Sequence, residues 1–323
     1  MGSEADDTVR LSPPPRAGRP VRGSATRRNA WLGGVAGLIL AGAVGWTAFR
    51  LLAPVPAPLP SPAPVVALAT PPAAPVLQAF PVLTEAEIAD HRAAWPTVLQ
   101  LAENPRVFVL DFPDLASQGM ALNRVAALVE KADLPRDHVL SDTEMAAVLV
   151  RSGETAETYY YGHDYRGSDL ERFFTLAARE GLVLNEGERW VSEQLARARA
   201  LSGPGEIALI SVAAPGPRMD ESARRTILHH EVGHGYDFTV PFYAAHVRRV
   251  WAESFTEADR AAFRSFLARE GYDVTNEDLV AGEMQAYLLF TPDERFFAAQ
   301  HLGLSPQRVE QLRALVRNRA PLP

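Results

Sequence analysis

The chain contains no cysteine in 323 residues. That excludes a disulfide framework, a cysteine zinc site and a thiol nucleophile, so any metal must be held by His, Asp or Glu. It does not identify a redox compartment, because a chain large enough to fold without disulfides can live in either. An excess of positive charge is missing as well. Against 32 Lys and Arg stand 39 Asp and Glu, a net charge of −7, and no basic stripe interleaves with aromatics, which argues against a nucleic-acid partner. The hydrophobic fraction of 47% excludes disorder throughout and suffices for one or two globular domains. No internal repeat is present.

After residue 50 no stretch approaches 18 apolar residues, but one lies before it. Trp31 to Phe49 is uncharged and mostly apolar, and as a helix at about 1.5 Å per residue it reaches the thickness of a hydrocarbon core. Six arginines precede it (Arg10, Arg16, Arg19, Arg22, Arg27, Arg28) and Arg50 follows. The positive-inside rule then predicts a cytoplasmic basic tail over 1–30, a single-pass transmembrane signal anchor over 31–52 and an extracytoplasmic body at the cell membrane. A cleaved signal peptide is the alternative, disfavoured by the long preceding segment and the lack of a small-x-small site close behind. Gly33 and Gly37 form a weak GxxxG pairing signal. Residues 53–81 hold 10 of the 26 prolines and read as a polyproline-rich linker.

Without residues 1–81, 25 basic and 36 acidic residues remain, so the body is distinctly acidic. Its pattern is helix-rich with a few strands, divisible into a first lobe at 82–200 and a second at 201–323. Capping boxes are expected at Ser141–Glu144, Ser168–Glu171, Thr256–Asp259, Thr275–Asp278 and Thr291–Glu294. Pro292 and Pro306 suit first helical positions, and Gly181 and Gly271 suit helix ends. Val107–Phe112 and Ile207–Val212 read as strands, the second leading through a Pro/Gly turn into a helix.

Of the 8 histidines, three fall within His229–His234, which contains His230-Glu231-Val232-Gly233-His234. On a helix the outer pair are one turn apart on one face and can hold one zinc ion, with Glu231 beside them to take a proton from water. A bare His-Glu-x-x-His arises by chance on the order of once per hundred proteins. The context strengthens it: Ala223, Ile227, His230 and His234 form one stripe, so the histidines extend an apolar face. Gly233 and Gly235 each cost about 1 kcal/mol of helix propensity, which makes sense if another element approaches closely. Glu283 falls within an apolar helical stripe of Leu279, Val280, Tyr287 and Phe290. A lone buried carboxylate is expensive, and metal ligation compensates it; a salt bridge to an Arg is the structural alternative. Asp237 is the rival ligand, better suited to an outer hydrogen bond. Tyr159–Tyr165 reads as a strand and turn with half-buried aromatics or as a cleft wall. Tyr287, Tyr236 and Tyr243 are candidates for an oxyanion donor.

HEVGH on a helix preceded by a strand resembles the zincin metallopeptidases over roughly Glu206–Phe290. The resemblance implies that this strand borders the cleft and aligns a peptide substrate. The metzincin extension is missing, since Val240 stands at its third ligand. A glutamate on a later helix is similar to the gluzincin arrangement, which implies Glu283 as third ligand. The expected fold is α+β, a helix-rich zincin-like domain with a small sheet and an active-site helix. The expected function is zinc-dependent peptide hydrolysis, with Zn2+ on His230, His234 and Glu283 and with Glu231 as catalytic base. The competing reading is a non-catalytic envelope scaffold or binding protein of the same fold, and hydrolysis of non-peptide amides stays open. The expected partners are a peptide or protein substrate and, through the anchor, a membrane.

Overall fold

Five strands and eleven helices occur among the described residues, 78–320 and 322, of the computed structural model. The first half contains β1 (Val82–Leu83), α1 (Glu85–Asp90), β2 (Thr97–Leu101), β3 (Val107–Phe112), α2 (Leu115–Val129), α3 (Asp142–Ser152), β4 (Gly162–Arg166), α4 (Gly167–Arg179) and α5 (Glu186–Ser202). There follow β5 (Ala208–Ala213), α6 (Glu221–Thr239), α7 (Pro241–Glu253), α8 (Glu257–Arg269), α9 (Glu277–Phe290), α10 (Ala299–Leu302) and α11 (Pro306–Arg317). The class is α+β.

The strands form one mixed sheet in the order β1-β2-β3-β5-β4, with β3 and β5 parallel and β4 antiparallel to β5. Every residue of β3 and β5 is buried, as expected of apolar central strands covered on both faces. Alternation then sorts the side chains. Asp111 of β3 points to α6, where it meets Arg224, and its neighbour Phe112 points the other way onto Trp190 of α5. Helix α6 therefore lies on one face and α5 on the other.

Helix α6 is fixed at both ends by local chemistry. Asp220 accepts from the Ala223 amide at the start. At the end, Pro241 forces Val240 into an extended conformation (φ −114°, ψ 90°) and opens α7 as its first residue. Arg224, fully buried, ties α6 down: it pairs with Asp111 at 3.0 Å and donates to the carbonyls of Ile88, Ala89, His91 and Ala213. Gly233 and Gly235 mark close approaches. A Cβ would stand 2.6 Å from the Phe290 ring at the first and 2.8 Å from Val107 at the second. The glycines thus let α9 and β3 press against the motif helix.

Several sequence expectations are corrected. Among the described residues no helix is long and apolar enough to cross a membrane. The transmembrane segment expected at 31–52, the tail at 1–30 and most of the 53–81 linker lie outside the described residues. The anchor, its single-pass topology and the extracytoplasmic placement are therefore withdrawn. The strand over Ile207–Val212 does not border a cleft, because β5 is hydrogen-bonded on both sides and the edge position belongs to β4. Capping boxes form at Ser141 and Thr256 but not at the three other sites. Ser168 lies inside α4 and binds Glu206, Asn276 rather than Thr275 caps α9, and Thr291 ends α9 instead of starting a helix. Pro292 consequently opens no helix, whereas Pro306 does.

Candidate metal centre

His230 and His234 leave one face of α6, and Glu283 reaches them from the middle of α9, a helix buried from Val280 to Leu288. The two Nε2 atoms are 3.2 Å apart. Glu283 Oε2 lies 3.6 Å from Nε2 of His230, and its Oε1 lies 3.6 Å from Nε2 of His234. All three residues are at most 2% exposed.

The outer nitrogens settle what the inner ones can do. His230 Nδ1 is 2.8 Å from the Thr291 hydroxyl, and that hydroxyl donates its own proton to the Ala286 carbonyl at 3.0 Å. Thr291 can therefore only accept from the ring, so the proton sits on Nδ1 and Nε2 carries a lone pair. His234 Nδ1 faces the Asp164 carboxylate at 3.3 Å, which favours the same tautomer. Two imidazole lone pairs and a carboxylate then converge at a buried point with no donor among them. Such a set repels itself unless a proton or a cation enters it. His, His and Glu are ordinary zinc ligands, and outer-shell partners of this kind hold ligand rings in place.

Titration behaviour reflects the same crowding. Burial pushes His230 down to about 4. Burial alone would raise Glu283, but His234 and then His230 outweigh it and hold the carboxyl down at about 2. His234 is opposed by burial yet raised overall by the Glu283 carboxylate. The Glu283 carboxylate thus favours a proton on His234, and a metal ion would compete with it.

Glu231 is 4% exposed, and its Oε2 is a buried oxygen without a hydrogen-bond partner. Burial first, and Asp164 next, push its carboxyl well above the usual range. Asp164, Glu231 and His234 form a second convergent group in which the potential ligand atoms lie within 4.8 Å of one another, as those of His230, His234 and Glu283 do. The wall on this side is β4. A Cβ on Gly162 would stand 2.2 Å from Glu231 Oε1, so glycine is required for the strand to lie against that carboxylate.

Other candidates take different places. Asp237 binds Arg248 and stands outside both convergent groups. His229 bonds Glu85 at 2.8 Å on the half-exposed side of α6. The Tyr243 hydroxyl is spent on Gln285 at 2.7 Å. Tyr236 stacks on Phe290, with ring centroids 6.4 Å apart. Tyr287 packs its buried ring 4.8 Å from that of His230 and 4.9 Å from that of Phe266. The sequence reading placed Asp164 only within the Tyr159–Tyr165 run and Thr291 only as a helix cap, and assigned neither a role beside the histidines. Period-two alternation through Gly162, Asp164 and Arg166 puts an acid on the α6 side of an aromatic strand, and that was the available signal for Asp164. The local signal at Thr291 points to a helix cap and not to His230, a contact that spans 61 residues.

No known protein family matches the chain, and neither a curated protein nor a solved structure does.

Proposed function

We propose that the protein is a zinc-dependent hydrolase of peptide bonds. The observation that carries this reading is the convergence of two Nε2 lone pairs and the Glu283 carboxylate at 3.2 to 3.6 Å, beside a second acidic group, Glu231, that the ligand set does not use. Zinc held by His230, His234 and Glu283 supplies a Lewis acid and lowers the pKa of water toward neutrality. Glu231 is the base: with a cation on the neighbouring ligands to counter the burial that raises its pKa, its carboxylate removes a proton from the attacking water and returns it to the departing amine. Asp164 and Thr291 hold the two imidazoles in the tautomer that presents Nε2. The edge strand β4 offers an extended substrate a backbone to pair with alongside Glu231.

A purely structural metal site has no use for Glu231, which favours catalysis over a scaffold. The scaffold reading draws support from one observation, the burial of all four groups at 4% exposure or less. Substitution separates the two. Glu231→Gln should keep zinc at wild-type stoichiometry and abolish cleavage of a peptide library, while His230→Ala should lose zinc as well. Equal cleavage by wild type and Glu231→Gln, or none by either, would refute the peptidase reading.

A further inference from the structure

Beside the metal centre lies a cavity of about 320 Å³, of which His234 and Asp164 form one wall. Four guanidinium groups also line it, Arg166 of β4, Arg172 of α4, Arg248 of α7 and Arg136 of the α2–α3 loop, interleaved with the acids Glu130, Asp169, Asp237, Asp273 and Asp278. Their hydrogen bonding is uneven. Arg248 donates to Asp237 and, at 2.7 Å, to Asp278. Arg136 is spent on the carbonyls of Ala127, Leu128 and Lys131 and on Asp273. Arg166 gives one donor to Asp278 at 3.1 Å and lies with its guanidinium carbon 4.3 Å over the Phe238 ring, which itself neighbours the His234 ring. Arg172 gives one donor to the Arg136 carbonyl at 2.9 Å.

A guanidinium has five donors, so Arg166 and Arg172 keep most of theirs for something else. Glu130 lies beside Lys131 with one buried oxygen that has no hydrogen-bond partner, and three of the other acids in the cavity are committed to arginines. Asp278 holds Arg166 and Arg248, Asp273 holds Thr275 and Arg136, and Asp237 holds Arg248 through one oxygen. Asp169 is the acid that competes most directly, since its charge acts on both Arg166 and Arg172.

We infer that this cavity is a carboxylate-binding subsite in which Arg172 and Arg166 hold an acidic group of the substrate next to the bond cleaved at the metal centre. A planar carboxylate matches the fork of a guanidinium, and partial burial strengthens the pairing. The carboxylate is either an Asp or Glu side chain or a free C-terminus. The inference rests on the peptidase reading for what carries the carboxylate, but its binding test does not.

The test titrates the full-length, zinc-loaded protein with acetyl-glutamate α-amide and acetyl-alanine, using acetyl-glutamine α-amide and acetyl-alanine amide as neutral controls. At least one acid should bind more than tenfold tighter than its neutral control, and which acid does so tells a side chain from a terminus. Arg172→Gln should remove that preference with zinc content and thermal midpoint unchanged, and Asp169→Asn should strengthen it. Direct ligation of zinc by the probe would be indifferent to Arg172. No preference for either acid, or a preference that survives Arg172→Gln, overturns the subsite. Carboxylate binding without peptide cleavage would sink the peptidase reading and leave the subsite standing.

Discussion

His230 shows how much of the centre depends on a single proton. The Thr291 hydroxyl, committed as donor to Ala286, can only accept from Nδ1, so Nε2, which faces His234 and Glu283, is left bare. Thr291→Val is isosteric but removes that acceptor, and Asp164→Asn replaces the carboxyl group that faces His234 Nδ1. Each should weaken zinc binding by about 10- to 100-fold, measured by chelator competition, with secondary structure unchanged. Unaltered zinc affinity in both would show that the outer hydrogen bonds do not set the ring orientation. The residues that converge at the candidate site were legible in sequence, because His230 and His234 are spaced by one helical turn with Glu231 between them and Glu283 interrupts an apolar stripe. Asp164 and Thr291 were not, because the contacts that define them cross between separate elements.

Among the elements, α6 carries the site, and two features hold it against its neighbours. Gly233→Ala gains about 1 kcal/mol of helix propensity. The added Cβ meets the Phe290 ring at 2.6 Å, and such overpacking costs about 1 to 3 kcal/mol. The clash should win, giving a lower denaturation midpoint; a rise would show that α9 yields easily. Arg224→Met leaves Asp111 buried with His91 as its remaining ionisable partner, at 2.5 Å. Removing one partner of a buried pair costs about 3 to 5 kcal/mol, readable in urea denaturation. A loss below 1 kcal/mol would contradict the anchoring role. Strand Val107–Phe112 and the caps at Ser141 and Thr256 were readable locally, since β-branched runs and capping boxes act within a few residues. Thr291 carries the same local signal and ends a helix instead, because its hydroxyl is claimed by His230 and Ala286. Likewise Ile207–Val212 reads as a strand, while its central place depends on pairing with β3 and β4.

At the scale of the whole molecule, the sheet interior keeps a histidine neutral. Burial pushes His163 down from 6.5 to about 3. Between those values the unfolded chain binds a proton that the folded chain does not. Stability therefore falls as pH drops from 6.5 toward 3, by at most about 1.4 kcal/mol per pH unit for this group, and is unaffected by it above 6.5. His163→Gln, which can still bond Ser211, should flatten the fall between pH 7 and 5 in denaturation midpoints. An identical slope in wild type and variant would show that His163 takes up protons in the fold.

The most direct test of the central claim is X-ray absorption spectroscopy on purified full-length protein, combined with elemental analysis. The account predicts one zinc per chain with two imidazole nitrogens and a carboxylate oxygen at about 2.0 to 2.2 Å, and loss of that signal in His230→Ala and Glu283→Ala. Protein without a transition metal, or zinc that persists in both variants, would contradict it.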